Sequence, residues 1–141
     1  LRLIAEQLST PMLAANVYDK VATHSLTSDV IKEYSGLRVG VIGLTYPFVD
    51  QTIPPAFFED MYFTLGLEEV AQSVQFLRVE EKVNIIILIS HMGMPLDAKL
   101  ASVVQGVDII LSGHSHDRVD RAIIVKDTTI IQSGASASFL G

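Results

Sequence analysis

"NIIILISHMGMPLDAKLASVVQGVDIILSGHSHD", residues 84–117, is the stretch from which the fold can be read. Its two aliphatic runs, "NIIILIS" and "VDIILSG", are short and bounded, and both predict buried strands. Between them Asp97 can cap a short helix over Ala98 to Gln105, which Gly106 closes. Asp108 stands where the second strand starts. Strand, helix, strand makes a βαβ unit, so the two strands should run parallel with a right-handed crossover. Parallel sheets bind ligands beyond the carboxyl ends of their strands. His91 follows the first run directly and His114 follows the second, which puts both at the same end of the sheet. His116 lies two residues further on, and in extended chain i and i+2 face the same side.

Three of the four histidines therefore share one sheet edge. A single histidine at a strand end is more often an ordinary hydrogen-bonded residue, and His24, which has no such company, is read that way. Three in Ser-His-x-Gly and Gly-His-x-His contexts point to metal, because neutral imidazole suits borderline ions such as Zn. The i, i+2 pair could reach two ions of a cluster spaced ~3.5–4 Å. Gly93 and Gly113 let the backbone approach closely. Asp117 is the candidate acceptor for an imidazole N–H, whereas Asp97 is read first as a helix cap and Asp108 as a strand-start residue. Ser90 beside His91 is not a hydrolase nucleophile pair, since no GxSxG elbow is present.

Outward from this core, "DVIKEYSGLRVGVIGLT" predicts two strands joined at Ser35-Gly36, the second aliphatic on both faces and so expected to be covered on both. "MLAANVYD" predicts a short buried strand, and "LRLIAEQL" has helical spacing stopped by Pro11. Residues 46–66, rich in proline and aromatics, predict a long irregular connection. Leu67, Val70, Val74 and Leu77 form a helical stripe, with Glu68 and Glu69 in its favourable first turn. "RAIIVKDTTIIQSG" predicts a hairpin turning near Asp127. At 141 residues and 49% hydrophobic, the chain suits a single packed domain. A net charge of −6 and no Lys/Arg cluster argue against nucleic acid and anionic membranes. No apolar run reaches the roughly 18 residues of a membrane span. The absence of cysteine removes disulfides and thiolate ligands.

The pattern "ILISHMG…D…LAS.V.GVDIILSGHSHD" resembles the second half of the catalytic domain of the 5′-nucleotidase family of calcineurin-like metallophosphoesterases. "PMLAANVYD", "G-LRVGVIGLT", the helix before "EEKVNIIILISH" and the closing "TTIIQSGASASFLG" fit the same region in order. The likeness spans nearly all of the chain. "SHMGMPLDAKLAS" after "LTYPF" is also similar to the sulfur-oxidation thiosulfohydrolase branch. The resemblance implies an α/β fold that is part of a four-layer αββα sandwich, with mostly buried β-strands and βαβ units. It implies two divalent metal ions (Mn, Zn or similar), with His91 and His114 on one and His116 on the other. It also implies a small-molecule nucleotide substrate and a periplasmic or extracellular setting.

The family's first half carries an Asp-x-His, a bridging Gly-Asp, and a Gly-Asn-His with the catalytic histidine. None of these occurs here, and Asn16 of "AANVYD" lacks the following histidine. No catalytic residue is therefore expected within this chain. Residues 1–141 are expected to be the C-terminal half of the catalytic domain, without the upstream half or the C-terminal substrate domain. The parent protein would be an enzyme and the isolated chain inactive. The alternatives are a thiosulfohydrolase, and an inactive truncated product with at most weak metal binding. An uncovered sheet face and an open strand edge predict self-association. A mean hydropathy of +0.40 agrees.

Overall fold

In the computed structural model, which describes residues 7–21, 23–58 and 60–139, the 84–117 stretch is the centre of a mixed sheet. The strands are β1 (Val17–Asp19), β2 (Asp29–Tyr34), β3 (Leu37–Leu44), β4 (Met61–Phe63), β5 (Ile85–Ser90), β6 (Ile109–Ser112), β7 (Ile123–Val125) and β8 (Thr128–Ile131). Among the described residues two α-helices connect them, α1 (Leu67–Gln75) and α2 (Met94–Val103), and α1 runs on into a π-helical turn over Phe76–Glu80. The large sheet has the order β2-β3-β5-β6-β8-β7, and β1 pairs with β4 in a separate two-stranded ribbon. β3, β5, β6 and β8 are parallel, with β2 and β7 antiparallel at the edges. The expected βαβ unit is thus present as β5-α2-β6.

The turns follow from their residues. Ser35 and Gly36, at φ 51° and 85°, close the β2–β3 hairpin with two left-handed residues, whose twist matches the flanking strands. Lys126, at φ 53°, and Asp127 turn β7 into β8 as the sequence predicts. On one sheet face Ile42, Leu44, Ile86, Leu88, Ile110 and Ile130 are buried in a single cluster. That cluster includes Val70, Val74 and Leu77 of the α1 stripe and Leu100 and Ala101 of α2. Each fully buried side chain of this size stabilises the fold by about 1.5–3 kcal/mol.

Four expectations change. The strand in "MLAANVYD" is only Val17–Asp19, because Ala15 and Asn16 form a turn before it, with Ala14 N–H donating to Thr27 O and Ala15 N–H to Gly43 O. The connection over 46–66 is not wholly irregular: it holds two 3₁₀ turns and β4, which pairs Phe63 with Val17. The helix after His91 starts at Met94 and stops at Val103, so Asp97 lies inside its first turn and caps nothing. β5, β6 and β7 are not covered on both faces: Ile89, Leu111 and Ile124 are exposed on one of them, because no described element packs over them, whereas β3 is buried on both, with Val39 and Gly43 on one face and Ile42 and Leu44 on the other. The helical reading of "LRLIAEQL" falls largely outside the described residues.

Asp108 does stand at the start of β6, where its carboxylate accepts from Ile86 N–H and pairs with Arg78. Arg78 also donates to the carbonyl of Gly106. Gly106 sits at φ 92°, and a Cβ there would come within 2.7 Å of Val74. Gly106→Ala should therefore lower stability by about 1–3 kcal/mol, read as a shift in the urea midpoint. An unchanged midpoint would mean that the turn after α2 tolerates a side chain.

Candidate metal centre at the carboxyl ends of the parallel strands

Leu44 of β3 is in register with Ser90 of β5, and Ser90 with Ser112 of β6. Three parallel strands therefore stop at one level, and the residues just beyond them meet. His91 N–H donates to Leu44 O at 2.9 Å, which continues the pairing one step past β5. The His91 and His114 rings lie 5.1 Å apart at an interplanar angle of 72°. His114 also stacks on Tyr46, two residues past β3, at 4.0 Å and 23°. Gly113 permits this crowding, because a Cβ on it would meet Nδ1 of His91 at 3.2 Å.

His114 and His116 both have left-handed backbones, φ 79° and 59°. Such conformations are uncommon for residues with a side chain and cluster at functional sites. Burial pushes the His91 imidazole below its ordinary pKa, and His114 and then His116 add to the effect. The shift favours the neutral form that a metal requires. The structure brings the rings of His91 and His114 together, and gives no ring contact for His116 among the described residues. Among the described residues no three histidine, aspartate or glutamate side chains are arranged around one ion. The donor chemistry fits a borderline cation, as a facing imidazole pair rather than a complete shell.

The other candidates fall elsewhere. His24 packs on Tyr18 at 4.4 Å and takes no part in the grouping. The Asp117 carboxylate accepts from Ser115 Oγ at 2.6 Å. Asn16 is buried, and its side chain is taken up by the backbone of Thr45 and Thr64, which ties β1 to the ends of β3 and β4. Three residues of the site carried no signal in the sequence reading: Tyr46, Ser112 and Gln132. A polar residue just past an aliphatic strand is the only hint that Gln132 offers.

Beneath the histidines runs a buried polar line. Ser90 Oγ donates to Asp97 Oδ1 at 2.6 Å and accepts from Met92 N–H at 3.1 Å. Ser112 Oγ stands beside the same carboxyl and accepts from Gln132 Nε2 at 2.8 Å. Asp97 is fully buried, and its Oδ2 lacks a well-formed hydrogen bond. Burial raises its pKa, opposed by the hydroxyls of Ser112 and Ser90.

No protein-family model matches the chain. It is 33% identical over 115 residues to the trifunctional nucleotide phosphoesterase YfkN of Bacillus subtilis, covering 79% of this chain and 8% of that protein. It is 31% identical over 127 residues to the 5′-nucleotidase of Vibrio cholerae, covering 81% of this chain and 23% of that protein. The chain belongs to the 5′-nucleotidase family of calcineurin-like metallophosphoesterases. Among solved metallophosphoesterase relatives, the sulfate thiohydrolase SoxB of Thermus thermophilus superposes with a TM-score of 0.89 at 31% identity, over 95% of this chain and 25% of that one. The chain thus spans a quarter or less of each of these three relatives.

The raised pKa of Asp97 has a defined sign. The folded state holds this proton more tightly than the unfolded state, so the carboxyl's contribution favours folding at acidic pH. It is lost as pH rises from the ordinary value of 3.8 through the folded pKa. Asp97→Asn removes that dependence. The melting temperature of the variant relative to the parent chain should therefore climb as pH is raised from acid toward neutrality. A pH-independent difference would show that the buried carboxyl is not penalised for its charge.

Proposed function

We propose that this chain is the C-terminal half of the catalytic domain of an exported, metal-dependent nucleotide phosphohydrolase. In this reading His91 and His114 hold one divalent ion and His116 a second, Mn, Zn or similar. The observation that carries it is the facing pair of His91 and His114 at the common end of β3, β5 and β6. When bound, such ions supply the charge that polarises phosphoryl oxygens and acidifies water. The chain's own residues fix where that charge sits: the strand ends set the spacing, and burial favours the neutral form of His91. The bridging carboxylate and the general acid come from outside these residues. The 5′-nucleotidase and nucleotide phosphoesterase relatives favour a nucleotide substrate, whereas the close superposition on SoxB favours the second reading, a thiosulfohydrolase.

Acid–base help alone is worth about 10² to 10⁴-fold, so the purified chain should not hydrolyse nucleoside monophosphates at a useful rate. It should still take up Zn²⁺ weakly by calorimetry, and His91→Ala or His114→Ala should abolish the uptake. Turnover of a nucleotide by the chain, lost in His91→Ala, would refute the division of labour. Zn²⁺ uptake untouched by both substitutions would refute the ligand assignment. In the full-length protein, hydrolysis of nucleotides but not of sulfur-bound thiosulfonate separates the two readings.

The same reading accounts for the apolar face, where Ile89, Leu111 and Ile124 are 50%, 38% and 62% exposed. Without a covering layer the chain should self-associate through it. Light scattering across a dilution series should show a mass that falls with concentration. A constant monomer mass would count against it.

A further inference from the structure

We propose that Gln132, just beyond β8, is the positioning residue of the histidine site, its amide holding the turn that carries His114 and His116. The inference rests on the reading of those histidines as metal ligands and deepens it. Gln132 is 3% exposed, and both ends of its amide are used. Its Oε1 accepts the backbone N–H of Asp117 and lies 3.3 Å from Ser115 Oγ. Its Nε2 donates to Ser112 Oγ at 2.8 Å, to Gly113 O at 3.1 Å, and toward Ser115 Oγ at 3.3 Å. Its backbone carbonyl accepts from Val119 N–H at 3.0 Å. One side chain therefore grips the peptide before His114, the residue between the two histidines, and the residue after His116.

That grip acts where the backbone most needs it. His114 and His116 have φ of 79° and 59°, and left-handed residues with side chains persist only when their surroundings over-determine them. Ser115 carries the restraint to the other histidine, since its Oγ accepts from Met94 N–H at 3.0 Å at the start of α2. On the side of His91, Ser90 Oγ joins Asp97 to Met92 N–H, next to that histidine. The two histidine-bearing loops are thus held to each other by polar groups, of which Ser90, Asp97 and Gln132 are buried. Glutamine suits the task because the site needs a donor and an acceptor about 2 Å apart on one planar group, which neither glutamate nor leucine offers.

The test compares Gln132→Leu and Gln132→Glu with Thr128→Val, which removes a buried hydrogen bond to Val107 O on the same strand away from the site. In metal-free chain, amide hydrogen exchange at Ser115 and Asp117 should speed up by about tenfold or more in Gln132→Leu, with core amides such as Ile86 and Ile110 unchanged. Co²⁺ affinity should fall by about 10- to 100-fold, as for other partners that orient metal ligands. Thr128→Val should lower the melting temperature yet leave Co²⁺ affinity within about twofold. Gln132→Glu, which keeps the acceptor and loses the donor, should fall between. Exchange at residues 115 and 117 unchanged in both Gln132 variants would overturn the proposal. So would equal loss of Co²⁺ affinity in Thr128→Val, or outright unfolding of both Gln132 variants, which would make the residue a support of the fold at large. If the parent chain binds no Co²⁺, the ligand reading fails, and hydrogen exchange still decides whether Gln132 clamps the turn.

Discussion

The site depends on the register of three parallel strands. Because Leu44, Ser90 and Ser112 are partners across β3, β5 and β6, the chain leaves the sheet at one height on three adjacent strands. Tyr46, His91 and His114 are what follow. A slip of one residue in any pairing would turn the aliphatic side chains of that strand to the opposite face. Here such a slip would exchange Ile86 and Leu88, fully buried, for Ile87 and Ile89, of which Ile89 is half exposed. The hydrophobic preference of β5 for one face thus doubles as the device that aims His91. Core packing and site geometry are set by the same alternation.

How much of this was legible in the sequence follows from that arrangement. Strands whose signal is a run of aliphatics, such as "NIIILIS", are read directly, and a histidine placed just past one can be located without a structure. The hairpin at Ser35-Gly36 and the α1 stripe were readable for the same reason, since local chemistry and tertiary packing agree there. Asp97 misled because an acidic residue before an apolar segment usually caps a helix. Here Gly93 and Pro95 start α2 earlier, and the carboxyl is drawn beneath the sheet edge to meet Ser90. Gln132 and Tyr46 were invisible because their partners lie 15 to 20 and 68 residues away in sequence. The open face was legible only in part. Aliphatic residues on both sides of β5 and β6 say that both faces are meant to be covered, but not whether the cover belongs to these 141 residues.

The site also shows where the fold accepts unfavourable local terms. Left-handed histidines, a buried carboxyl with one poorly satisfied oxygen and two facing imidazoles each oppose folding. All lie within one short arc of the sheet edge. Ser35 and Lys126 are left-handed too, but they sit in tight hairpin turns, whereas two left-handed histidines beside a buried carboxyl are the kind of grouping found at functional regions. It agrees with the family that the comparisons give.

A buried polar line is a costly way to join two loops, because an unpaired group in a low-dielectric interior loses more than a paired one gains. Ser90, Asp97, Ser112 and Gln132 meet that demand by sharing partners: each hydroxyl both accepts and can donate, and the glutamine amide uses its donor and acceptor ends. Replacing the line with aliphatic residues could leave stability equal or higher, as for many buried polar groups. What an apolar core lacks is direction. Leucines on β5 and β6 would hold the strands together equally well but would not set the angle at which the loops leave them. The hydrogen bonds do set it, and the 5.1 Å approach of His91 to His114 depends on that angle.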